Sequence, residues 1–452
     1  MRCGSLLALL GIPLASALSL ENTNAPSVFE VQFEHGSRAP RATRLSTRAD
    51  ILDLDTSVLG DYFLQTNISV GTPPQELNVL FHTVGNECWI QAAHLHACDL
   101  LRHEKPCGSH GAYNRSESTS AKFIGSGFAV NDSAFRVTGD FVTDSLTIGN
   151  VKLDAMKLGV VRDGVTSNVL GLGYGEHNSS SISLPQALAD GDIIKSPAFS
   201  LWIENPHGRP TPATAHRGAG RVLFGGVNKA KYVGTLHTLP IVDGPPGSRK
   251  GFRVNMTGLA INDTSASPKT FPKDAIFDIG MSLSYVPEAA ARDIFARLGV
   301  TNIPDKGQVS IPCNASELNT TLTFEFGAAT FNFPVWVFMT QDSLYGSSEY
   351  EDGTCYLGIA TNKDYLHKGS AVFGANFLRL IYSVYDLENG EISLARRNWT
   401  GFSDDIVEIT TGKNAVPGAS ATTTEKSAAL HYGNPGVMQA LLAAVVGVFM
   451  FL

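Results

Sequence analysis

Two stretches of this chain repeat one pattern, and that repetition constrains the fold more than any other feature. Val79-Leu-Phe-His82 and Ala275-Ile-Phe-Asp278 are both apolar runs closed by a polar residue. Each is followed about ninety residues later by an apolar-apolar-glycine run, Asn168-Val-Leu-Gly171 after the first and Ala371-Val-Phe-Gly374 after the second. Solenoid repeats are shorter and more numerous. Two long copies instead predict two similar lobes with a cleft between them, and 452 residues are enough for both. From about 55 to 400 the pattern is short β-rich runs broken by Gly, Asn, Asp and Pro, such as Phe63–Val70, Val222–Phe224 and Ile392–Leu394. Helical signals are confined to Leu184–Leu188 and Pro287–Leu298. The expectation is a mostly β architecture, with one lobe over 55–200 and the other over 201–402.

Both ends read as processing segments. Met1-Arg2, the apolar Leu6–Leu14 and the small residues Ala15-Ser16-Ala17 form a signal-peptide pattern over 1–17. Residues 18–54 carry Arg38, Arg41, Arg44 and Arg48 with little apolar periodicity, as a leader or pro-segment would. Residues 403–427 are rich in Thr, Ser, Ala and Gly and read as a solvated stalk. Ser427-Ala428-Ala429, a polar spacer and the apolar Val437–Leu452 match a GPI-attachment signal, with Ser427 as the expected site and 428–452 as the discarded propeptide. A secreted route and a cell-surface location, at plasma membrane or cell wall, follow. Nine sequons fit that route: Asn67, Asn114, Asn131, Asn178, Asn255, Asn262, Asn314, Asn319 and Asn398. A formal charge of −8 argues against nucleic acid as a partner.

Cys3 leaves with the signal peptide, so five cysteines remain. An oxidising compartment makes Cys98–Cys107 and Cys313–Cys355 plausible pairs and leaves Cys88 as a buried free thiol. His94, His96, Cys98, His103, Cys107 and His110 also have side chains of the kind that hold zinc. A disulfide loop with incidental histidines is the preferred reading, and no cofactor or metal is expected.

Further motifs surround the repeats: Gly71-Thr-Pro-Pro-Gln75 before the first and Trp89-Ile90 after it, then Thr138–Gly149, Leu223-Phe-Gly-Gly226, Phe373–Arg379 and Tyr385-Asp-Leu387. In order and spacing they resemble the pepsin-like aspartic proteases, peptidase family A1, and among these the GPI-anchored yapsin-like fungal branch. The resemblance covers about 55–400 and implies a bilobal acid-protease fold, with Cys313 and Cys355 at the position of the family's C-terminal-lobe disulfide. It also implies two Asp-Thr/Ser-Gly loops whose carboxylates face each other across the cleft and share one proton, one acting as base and the other as acid.

This chain departs from that pattern at the reacting centre. His82 stands at the first Asp position, followed by Thr83, Val84 and Gly85, so the loop glycine has become a β-branched residue and crowding is expected. The second loop keeps Asp278 and Gly280 but has Ile279 for the hydroxyl residue and Met281 after the glycine. The flap stretch Phe128–Phe135 lacks the family's Tyr, and Asn131 or Asp132 falls nearest. The convergence of these changes on one site predicts a pseudoprotease whose cleft binds a peptide or protein without cutting. The alternatives are residual proteolysis using Asp278 with His82 as a base near neutral pH, and a structural glycosylated surface protein. A monomer is expected.

Overall fold

The computed structural model describes residues 27–35, 64–93, 110–131, 135–164, 167–173, 181–204, 219–243, 251–300, 303, 308–314, 319–340, 354–361, 370–401 and 403–421. Strands predominate. The first eight are β1 (Phe29–His35), β2 (Leu64–Val70), β3 (Gln75–His82), β4 (Trp89–Gln91), β5 (Lys122–Asn131), β6 (Arg136–Ile148), β7 (Val151–Asp163) and β8 (Asn168–Gly171). β9 (Ala198–Glu204) and β10 (Ala219–Phe224) continue one large sheet. That sheet runs from the flap hairpin β5–β6 through β3 and β1 to strands Ile381–Asp386 and Glu391–Arg397. Separate sheets of five, four and three strands build the second lobe. This is the mostly β, two-lobed architecture that the repeat predicts and the pepsin-like fold that the resemblance implies.

The repeat has a direct structural meaning. β3 pairs in parallel with β8, placing Val79 against Asn168 and His82 against Gly171. Strand Lys273–Phe277 pairs in parallel with Ala371–Phe373, placing Ala275 against Ala371 and Phe277 against Phe373. Each strand leading into the site is thus held by the apolar run about ninety residues further on. In both lobes the neighbouring strand is antiparallel to that run, Trp89 against Val169 and Tyr285 against Val372. Strands buried on both faces read as continuous apolar runs, and Val79, Leu80, Phe81, Ala275, Ile276 and Phe277 are all buried. The helices fall where expected, Leu184–Asp190 and Glu288–Arg297.

Two boundaries differ from the sequence reading, and one expected segment contains a strand. The division at 200/201 cuts β9 in mid-strand, because β9, β10 and the strands near 381–397 form a layer common to both lobes. Part of the 18–54 leader is β1, which pairs with β10 over Phe29–Phe33 and with β2 at Glu34 and His35. Phe29 stacks on Phe224 at 4.9 Å. Residues 403–421 are not a solvated stalk. Ile406–Glu408 pairs with Gly226–Asn228, Ala419–Ala421 joins the large sheet, and Ile409, Ala415 and Val416 are buried. Apolar residues spaced among Thr and Gly were enough to dock this segment. Ser427 and the tail after it lie outside the described residues.

Candidate active site

His82 is the last residue of β3 and Asp278 directly follows strand Lys273–Phe277, so backbone pairing brings both to the junction between lobes. Both are buried, at 8% and 6% exposure. A methyl group on Gly280 would stand 3.2 Å from Asp278 Oδ1 and 3.7 Å from His82 Cδ2, so the two side chains border one point on the cleft floor. Asp278 Oδ1 accepts a hydrogen bond from the Gly280 N–H at 2.9 Å. Among the described residues no ion pair joins His82 to Asp278, and His82 Nδ1 has no hydrogen-bond partner.

Thr83 ties the two loops together. Its Oγ1 donates to Phe277 O at 2.9 Å and accepts from the Ile279 N–H at 3.1 Å, with the whole arrangement buried. The reciprocal hydroxyl, expected at 279, is missing, and the Ile279 side chain packs into the core instead. Half of a two-fold hydrogen-bond exchange therefore survives.

The glycines of the repeat sit under these loops. A Cβ on Gly171 would meet Asn86 C at 2.5 Å, and one on Gly374 would meet Leu283 O at 2.3 Å and Met281 O at 2.5 Å. Only a residue without Cβ lets each loop backbone pass that closely. Val84 is buried, and its Cγ1 lies 3.8 Å from the position of a Cβ on Gly251, an ordinary contact distance.

Among the described residues of the flap stretch, one other than Asn131 contacts His82. Asn131 ends β5 and points to solvent, and Asp132 lies outside the described residues. Phe135, just before β6, reaches the floor. Its ring is edge-on to His82 at 5.6 Å and to Trp89 at 5.0 Å. Two residues near His82 escaped the sequence reading, Glu87 and the reach of Phe135. An acidic residue five places after His82 was the only available signal for Glu87.

Below the site Tyr385 is fully buried between Phe199 and Phe252. Burial, with the Asp278 charge adding to it, pushes its hydroxyl well above the ordinary value. Cys88 lies behind the His82 loop as a buried free thiol. Burial is the main reason its thiol is pushed up to about 12.

Cys313 and Cys355 are bonded to each other. Cys98, Cys107 and Asn178 lie outside the described residues. Asn67, Asn255, Asn262, Asn314 and Asn319 are exposed. Asn114 Nδ2 bonds Glu117, while half-buried Asn398 uses its Nδ2, the atom that a glycan would take, to bond Ala230 O at 2.9 Å. His110 is half-buried, and burial lowers its pKa. Among the described residues no three His, Cys, Asp or Glu side chains are grouped to hold a metal.

Comparison with known proteins places this geometry. A profile described as eukaryotic aspartyl protease matches residues 61–397. The protein named probable aspartic-type endopeptidase opsB of Aspergillus oryzae is 32% identical over 92% of this chain and 85% of its own length. Aspartic proteinase yapsin-3 of Saccharomyces cerevisiae is 28% identical over 79% of this chain and 70% of its own length. Barrierpepsin of the same yeast is 26% identical over 81% of this chain and 65% of its own length.

Proposed function

The chain belongs to the eukaryotic aspartyl protease family, and we propose that within it this protein is a pseudoprotease of the cell surface. Its inter-lobe cleft binds an extended peptide or protein segment without cutting it. One observation carries this reading: across Gly280, Asp278 faces the imidazole of His82 rather than a second carboxyl. The family's mechanism needs two like-charged groups to share a proton, so that one is acid while the other is base. An imidazole beside a carboxylate does not share a proton in that way, and Thr83 keeps only its own half of the hydrogen-bond exchange between the loops. The signal peptide, sequons and C-terminal attachment pattern support delivery to the surface through a GPI anchor.

A second reading rests on the same point of the floor. His82 and Asp278 border one position, and a neutral imidazole is a competent base near pH 7. Residual hydrolysis would then peak near neutral pH and depend on both residues.

The test is to express the chain in a secretory host and incubate it with unfolded casein from pH 3 to 8, reading new termini by mass spectrometry. The pseudoprotease reading expects none from wild type at any pH. New termini that vanish in Asp278→Ala would overturn it and establish the second reading.

A further inference from the structure

The imidazole of His82 separates two carboxylates. Nδ1 and Cδ2 lie on opposite edges of the ring, and each edge meets a glycine. On the Nδ1 edge, a methyl on Gly85 would stand 3.1 Å from His82 Nδ1 and 2.8 Å from Glu87 Oε2. On the Cδ2 edge, a methyl on Gly280 would stand 3.7 Å from His82 Cδ2 and 3.2 Å from Asp278 Oδ1. Nε2 lies between Cδ2 and Cε1, more than 4 Å from the methyl position on Gly280. Phe135 packs edge-on against the ring and Trp89 packs against Phe135, so ring rotation is restricted from above.

Nδ1 is buried and has no partner among the described residues, and His82 as a whole is more than nine-tenths buried. A buried ring nitrogen without a partner is costly and demands an acceptor or donor. Glu87 is half-buried, and its carboxylate shares with Nδ1 the notch that Gly85 leaves open.

We propose that Glu87 is the positioning residue for His82. Its carboxylate accepts the hydrogen bond of Nδ1–H, after a side-chain rotation or through one water in the Gly85 notch. Which imidazole nitrogen carries the proton is set by the hydrogen bond that the other edge makes. Glu87 thereby fixes the Nδ1–H tautomer and leaves the lone pair on Nε2, the ring nitrogen that does not border the Gly85 notch. The floor then offers a nitrogen acceptor to an N–H or O–H of the bound segment. The inference deepens the reading of the same cleft and holds whether or not the cleft cuts.

The experiment is nitrogen-15 NMR of histidine-labelled protein at pH 8, with the His82 signals assigned by their loss in His82→Gln. Wild type is expected to show His82 protonated on Nδ1. Glu87→Gln, whose amide oxygen still accepts, keeps that tautomer, and Glu87→Ala moves the proton to Nε2. Gly85→Ala, whose methyl wedges between the two groups, gives the same change and serves if Glu87→Ala does not fold. Wild-type His82 protonated on Nε2, or Nδ1–H retained in a folded Glu87→Ala or Gly85→Ala protein, would overturn the proposal. Neither result depends on casein cleavage, which tests the functional reading separately.

Discussion

Replacing Thr83 by Val probes the junction between the lobes with almost no change of shape. The hydroxyl is fully buried, donates to Phe277 O at 2.9 Å and accepts from Ile279 N–H at 3.1 Å. Valine deletes both bonds and leaves a buried carbonyl and a buried N–H each short of this partner. At about 1–3 kcal/mol for each unsatisfied group, the cost is about 2–6 kcal/mol. Urea unfolding is the assay, and a lower midpoint with an unchanged slope isolates the stability change. Ile279→Thr tests the missing half of the exchange. It loses buried hydrocarbon worth about 1–2 kcal/mol and gains up to two hydrogen bonds of about 1 kcal/mol each, so its net effect is expected within about 1 kcal/mol of zero. The double variant should be less destabilised than the sum of the singles, because the new hydroxyl can serve the groups Thr83 abandoned. A loss below about 1 kcal/mol for Thr83→Val would refute the assignment of these bonds as the tie between lobes.

Other consequences follow from burial and charge. With its thiol pushed up to about 12, Cys88 should resist a disulfide reagent at pH 8 in the native protein and react fully in guanidinium. Burial alone would raise the Asp144 carboxyl, but hydrogen bonds from Ser120, Tyr113, Ser118 and the Ser145 N–H outweigh it and hold the group below its ordinary value. Its contribution is therefore present above the unfolded value and lost as pH falls through the folded one; Asp144→Asn should cost about 2 kcal/mol at pH 7 and flatten the acid limb of the stability profile. Ending the chain at residue 402 removes buried Ile409 and Val416 from their cluster, worth about 1.5–3 kcal/mol each, and should lower the urea midpoint accordingly.

The parts of the fold legible in the sequence were those set by local pattern and its repetition. The partners of the site strands, Val79 with Asn168 and Ala275 with Ala371, are the positions that the duplication aligns. Residues 403–421 were misread because composition, rich in Thr and Gly, outweighed five spaced apolar residues that find a docking groove only in three dimensions. Strand β1 was obscured by the basic run after it, since its pairing with β10 is almost two hundred residues distant. At the site, the identities of His82, Asp278 and Ile279 could be read, but not what surrounds them. The reach of Phe135 over His82 depends on the hairpin's bend, and the approach of Glu87 depends on a glycine between the two.

The departures at the site fit one another, which bears on how they should be understood. Val84 lies opposite Gly251, where even an added Cβ would stand 3.8 Å from its Cγ1. Ile279 fills an apolar space where a hydroxyl would have needed its own partners. His82 lies under an aromatic edge from Phe135, in a setting that favours a ring over a hydrated carboxylate. A carboxylate placed at 82 would lose that ring contact and face Asp278 and Glu87, two groups of like charge, with no hydroxyl at 279 to complete the exchange between loops. His82→Asp alone is therefore insufficient to rebuild the proton-sharing pair. The surroundings of His82 are adapted to an imidazole, and the scaffold that carries it, from Thr83 to the glycines at 171 and 374, keeps the family's construction.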